Sequence, residues 1–131
     1  MTTPDDRFQA GLHTIAEVLG PAYVAAVERA AAGVTGPFQT LVTGFVWGDL
    51  WSRTELDRRT RSLVTLGMLA AGGHAREFGL HVRGALNNGA TREEVREVVI
   101  QAAAYAGVPA ALEALRAMTA TFRELDAEAA R

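Results

Sequence analysis

Glu77 and His81 stand four residues apart in Glu77-Phe-Gly-Leu-His81, a spacing that puts a carboxylate and an imidazole on one face of a helix. His74 lies three residues before Glu77, so one stripe carries His, Glu and His, with two of the three histidines of the chain. A carboxylate one turn from an imidazole can orient the ring and raise its pKa, which suits a general acid. The same spacing also fits a surface pair of little energetic weight. His74, beside Gly72 and Gly73, fits a helix start at the surface. A helical zinc protease places its two histidines four apart with the Glu between them; His74, Glu77 and His81 do not, so no metal site is expected.

Two further groups have chemical potential. Arg53, Arg58, Arg59 and Arg61 fall within nine residues. Guanidinium forks grip carboxylates bidentately, so Arg58 and Arg61, three apart, are candidates for binding an acidic substrate. Arg59 reads better as part of a solvated helix start with Glu55 and Asp57 nearby. Trp47 and Trp51 are again four apart and could wall a pocket for a flat ring, or serve as core or interface.

The elements that must position these residues are punctuated by Gly and Pro. The pattern predicts helices over Phe8–Leu19, Ala22–Ala32 and Phe38–Trp51. A fourth runs over Glu55–Ala71, capped through Ser52 with Glu55 or Thr54 with Asp57. A fifth covers His74–Asn87, stopped by Asn88-Gly89. Thr91 with Glu94 forms a capping box for a sixth over Arg92–Tyr105, and a last helix runs from Ala110 to about Leu125. No period-two segment is seen, so the fold class is all-α, a bundle of six to seven helices. From Leu63 to Ala71 the fourth helix is apolar on every side, which implies burial within the chain or in an oligomer.

Composition narrows the function. A chain of 131 residues is read as one domain, 49% apolar and 21% charged. The net charge of −2 offers no broad basic surface for nucleic acid or anionic lipid. With no cysteine, thiolate nucleophiles, disulfides and Cys-based zinc sites are excluded. Met1 to Asp6 is polar, and no apolar run is long enough to span a bilayer. A cytoplasmic protein is the expectation.

The motifs together are similar to the 4-carboxymuconolactone decarboxylases. Phe45-Val-Trp-Gly-Asp-Leu-Trp-Ser-Arg53, Leu56-Asp-Arg-Arg-Thr-Arg-Ser-Leu-Val-Thr65 and Leu80-His-Val-Arg-Gly-Ala-Leu-Asn-Asn-Gly89 carry the resemblance. Thr91-Arg-Glu-Glu-Val-Arg-Glu97 and Tyr105-Ala-Gly-Val-Pro-Ala110 complete it, over roughly Phe38 to Arg116; residues 1–36 match less well. The wider group includes alkylhydroperoxidase D-like proteins with a Cys-x2-Cys-x3-His motif and an upstream Glu. His74, Glu77 and His81 fall on that motif with both cysteines replaced, and Ser62 falls on the upstream Glu, so the peroxidase chemistry cannot run.

The resemblance implies an alkylhydroperoxidase D-like helical fold, a homotrimer or homohexamer, and cofactor-free decarboxylation of a carboxylated lactone, 4-carboxymuconolactone, to the β-ketoadipate enol-lactone in aromatic catabolism. His81 and Glu77 would handle the proton. Arg58, Arg61 and Arg83 would contact carboxylate or oxyanion, with Trp47, Trp51, His74 and Ser62 around the substrate. A relative acting on another lactone or β-keto acid in biosynthesis, and a non-catalytic helical binding protein, are the competing readings.

Overall fold

The computed structural model describes residues 2–131; Met1, from the polar start of the chain, lies outside the described residues. Seven α-helices and one π-helical segment make up the chain, with no strand among the described residues. They form two compact units, Met1–Asp57 and Arg58–Arg131.

The first unit opens with α1, Pro4–Val18. It starts earlier than the apolar pattern suggests because Thr3 and Asp6 form a reciprocal capping box and Pro4 occupies the first turn. α2 spans Pro21–Ala31, and α3 spans Gly36–Val42. α3 runs straight into a π-helical segment, Thr43–Leu50, so the expected third helix is half α and half π. α1 lies directly on this segment. A Cβ on Gly11 would meet the Thr43 carbonyl oxygen at 2.5 Å, and one on Gly48 would meet the Arg7 carbonyl oxygen at 2.5 Å. Only glycine permits that approach. Ile15 and Val18 are fully buried here, with Leu12, Val27, Trp47 and Trp51 around them.

The second unit contains α4 (Arg58–Ala71), α5 (Ala75–Asn87), α6 (Arg92–Tyr105) and α7 (Val108–Ala129). α4 begins three residues later than expected, because Ser52 does not cap it. The Ser52 hydroxyl turns back and donates to the carbonyls of Gly48 and Asp49 at 2.7 and 3.0 Å. α6 has the expected bounds, held by the Thr91–Glu94 box. α7 continues four residues past Leu125, because its polar end is tied down. Arg83 reaches Glu124 and Glu128, and Arg92 pairs with Asp126 while lying 4.7 Å over the Phe122 ring. Phe78, Val82, Ala85, Val95, Leu66 and Met118 are the centre of the core. The all-round apolar segment of α4 is only half covered. Leu66 and Ala70 are buried, whereas Val64 and Met68 on the far side face solvent.

Candidate functional site

α5 is the element that carries the candidate residues Glu77 and His81, with His74 at its start. His74 is its N-cap residue, but its side chain makes no capping bond. Its ring folds over Gly72, where an added Cβ would come within 2.8 Å of Cδ2. At the other end Gly89 adopts φ +95°, and the Ala90 amide donates to the Ala85 carbonyl at 2.9 Å, closing the helix in a left-handed turn. Between these ends Phe78, Val82 and Ala85 form the buried stripe. Glu77 is exposed, and His81 is half-buried at the margin of the core.

That margin decides the charge of the ring. Burial pushes the His81 pKa down to about 4, although the Glu77 carboxylate pulls it the other way. The spacing alone suggests a raised pKa; the structure gives the opposite sign, because desolvation outweighs one solvated carboxylate. At neutral pH the resting imidazole is therefore neutral, with one nitrogen as donor and one as acceptor. A ring in that state can hydrogen-bond a developing oxyanion. It gains a proton once a further negative charge is placed beside it.

The other sequence candidates divide clearly. Arg58 and Arg61 are half-buried on the first turn of α4. Arg59 instead forms an ion pair with Glu94 of α6, not with Glu55 or Asp57. Arg83 is committed to Glu124 and Glu128, whose hydrogen bonds raise its pKa, so it serves the α5–α7 contact. Ser62 is fully buried, and its hydroxyl oxygen accepts from Asn88 Nδ2 at 2.9 Å; it is held inside rather than presented to a ligand. Trp47 and Trp51 stack with ring centroids 5.0 Å apart and planes 18° from parallel. Both are buried in the core of the first unit.

Asn88 was visible in the sequence only as a helix stop. Its second role had one available signal, for it lies seven residues after His81 and so on the same face of α5. A concavity of the second unit lies elsewhere, an open groove of about 570 Å³ between α4 and α6. Val64, Gly67, Val98, Ala102 and Tyr105 line it, and none of Arg58, Arg61, Glu77 and His81 does. Its lining is mostly apolar, with Glu94 and Glu97 of α6 at its edge. Among the described residues, no three His, Asp or Glu side chains gather closely enough to hold a metal ion. No helix there is long and apolar enough to cross a membrane.

The second unit is thus all-helical, with a half-buried histidine, an exposed carboxylate one turn away and a basic first turn on α4. Residues 36–120 match the model of the carboxymuconolactone decarboxylase family. A nitrosuccinic acid decarboxylase from Metarhizium robertsii is 42% identical over 118 residues, covering 90% of this chain and 82% of the relative. A 4-carboxymuconolactone decarboxylase from Acinetobacter baylyi is 36% identical over 121 residues, covering 92% and 90%. The chain belongs to the carboxymuconolactone decarboxylase family.

Proposed function

We propose that the protein is a carboxy-lyase that removes CO2 from a small dicarboxylate whose own structure takes up the electron pair. The observation that carries this is His81: a neutral, half-buried imidazole with Glu77 one turn away, in a family whose similar members include two named decarboxylases. The first reading of the substrate is 4-carboxymuconolactone. When its ring carboxylate leaves as CO2, the C–C electron pair moves through the ring double bond to the lactone carbonyl. The resulting dienolate takes a proton at the α carbon, giving the enol-lactone. The second reading is nitrosuccinate, favoured by the higher identity to the relative of that name. There the pair moves into the nitro group, and the nitronate is protonated on carbon. Each reaction consumes one proton and leaves one carboxylate on the product. Neither needs a cofactor, because the sink lies within the substrate.

The roles follow from that common chemistry. The anionic substrate raises the His81 pKa from its resting value, and the protonated ring becomes the donor to carbon. Glu77 orients the ring and favours its charged form. Arg58 and Arg61 bind the carboxylate that stays. We also propose a homotrimer or homohexamer, in which a second copy covers the apolar side of α4 on which Val64 and Met68 are exposed. Light scattering that gave a clean 13.9 kDa species would exclude such an assembly.

The decisive experiment offers the purified protein 4-carboxymuconolactone and nitrosuccinate separately and measures CO2. Release from either supports the carboxy-lyase reading, and the ratio of kcat/KM values selects the substrate. Release from neither rejects it. His81→Ala should lower turnover at least about a hundredfold, the usual scale of general acid–base catalysis, with the fold retained by circular dichroism. Turnover near that of the parent would remove His81 from the mechanism.

A further inference from the structure

Asn88 joins the two helices that carry the proposed site. Its Nδ2 donates to the Ser62 hydroxyl oxygen at 2.9 Å and, at a longer 3.5 Å, to the Arg58 carbonyl oxygen. Both acceptors are in the first turns of α4, which bear the Arg58 and Arg61 side chains. Its own position is fixed by the left-handed turn at Gly89, and Ser62 is fully buried. A bond to a buried hydroxyl has no water to replace it. Two N–H groups on one nitrogen serve two acceptors, which an aspartate, an acceptor only, could not do.

We propose that Asn88 is a positioning residue for substrate binding. Its amide holds the arginine-bearing end of α4 against the far end of the helix that carries His81. This rests on the reading above that Arg58 and Arg61 bind the carboxylate that is not lost. Asn88 touches neither substrate nor proton. It sets where the guanidinium groups stand, and because those groups contact only the carboxylate that stays, their displacement is felt as lost uniform binding.

The test is a kinetic double-mutant cycle on the full chain, using the substrate that releases CO2. Asn88→Ala and Ser62→Ala should each raise KM about fivefold, the equivalent of one hydrogen bond, with kcat changed by less than about twofold, as expected for lost binding. Arg61→Lys should raise KM as well. Combined with Asn88→Ala it should add little further, because the two act as one unit. Ser62→Ala removes only an oxygen atom, so it carries the test should Asn88→Ala fold poorly. If Arg58→Ala and Arg61→Lys both leave KM unchanged, the arginine reading fails. If the arginines move KM but Ser62→Ala and Asn88→Ala lower only the melting temperature, or the cycle is additive, the positioning role is overturned while the arginine reading stands.

Discussion

The two units are held together by different physics. In the first, backbone meets backbone. Gly11 and Gly48 let α1 lie against the π-helical segment with carbonyl oxygens where side chains would otherwise be, and a stacked indole pair fills the space beside it. In the second, side chains do the joining. An apolar core around Phe78 is overlaid by Arg83 and Arg92 gripping the carboxylates of α7, and Asn88 bridges α5 and α4. The first unit is thus sensitive to added volume, and its ion pairs, such as Arg7 with Asp49, are exposed and contribute little. The second tolerates changes of volume at its margins but responds to protonation. Every residue proposed for proton transfer or carboxylate binding belongs to the charge-sensitive unit.

The largest break in this comparison should come from pH. The His81 ring titrates at about 4 when folded, against an ordinary 6.5, so the unfolded chain takes up this proton first as pH falls. The stability linked to the ring is complete above about pH 6.5 and is lost progressively down to about 4, a difference of about 3 kcal/mol at most. Denaturant unfolding at a series of pH values should show the loss. His81→Gln should remove the part that falls in this window, and a parallel decline in that variant would assign the loss to the carboxylates instead.

A smaller effect is expected from volume. Gly48→Ala places a methyl group against the Arg7 carbonyl and should cost about 1–3 kcal/mol, the range for overpacked contacts. Its cost should be the same at pH 5 and pH 8, and a strongly pH-dependent penalty would blur the distinction between the units. The smallest effect belongs to the surface clamps. Arg83→Ala should cost about 1 kcal/mol or less, since both carboxylate partners are largely solvated. High salt should shrink that difference, whereas it should leave the cost of Gly48→Ala untouched.

The same contrast explains what could be read from the sequence. The sixth helix was legible to the residue, because a capping box and Gly107-Val-Pro109 mark its ends by local chemistry. The late start of α4 was not, because Ser52 had two competing uses and its hydroxyl went to the preceding carbonyls. Nothing in apolar periodicity separates a π-turn from an α-turn over eight residues, so the segment Thr43–Leu50 was hidden even with Gly44 and Gly48 in view. At the site, types and spacing identified Glu77, His81, Arg58 and Arg61 as candidates. They could not give the sign of the His81 shift, which depends on how far the ring sinks beside Phe78 and Val82. Nor could they foresee that Glu124 and Glu128, more than forty residues away in the chain, would claim Arg83.

The indole pair has one more consequence. A π-helix closes its hydrogen bonds over five residues, as Trp51 does to Val46. Residues four apart are therefore closer to eclipsed than in an α-helix, and Trp47 and Trp51 can lie ring on ring. Both tryptophans of the chain are in this stack. Indole emission, excited at the red edge to spare tyrosine, is consequently a private optical label for the first unit. Far-ultraviolet ellipticity, by contrast, sums the helices of both. Recording the two signals on one melt reads out the cooperativity of the whole chain: superimposed curves mean one transition, and an emission change displaced from the ellipticity change means that the two units unfold in separate steps.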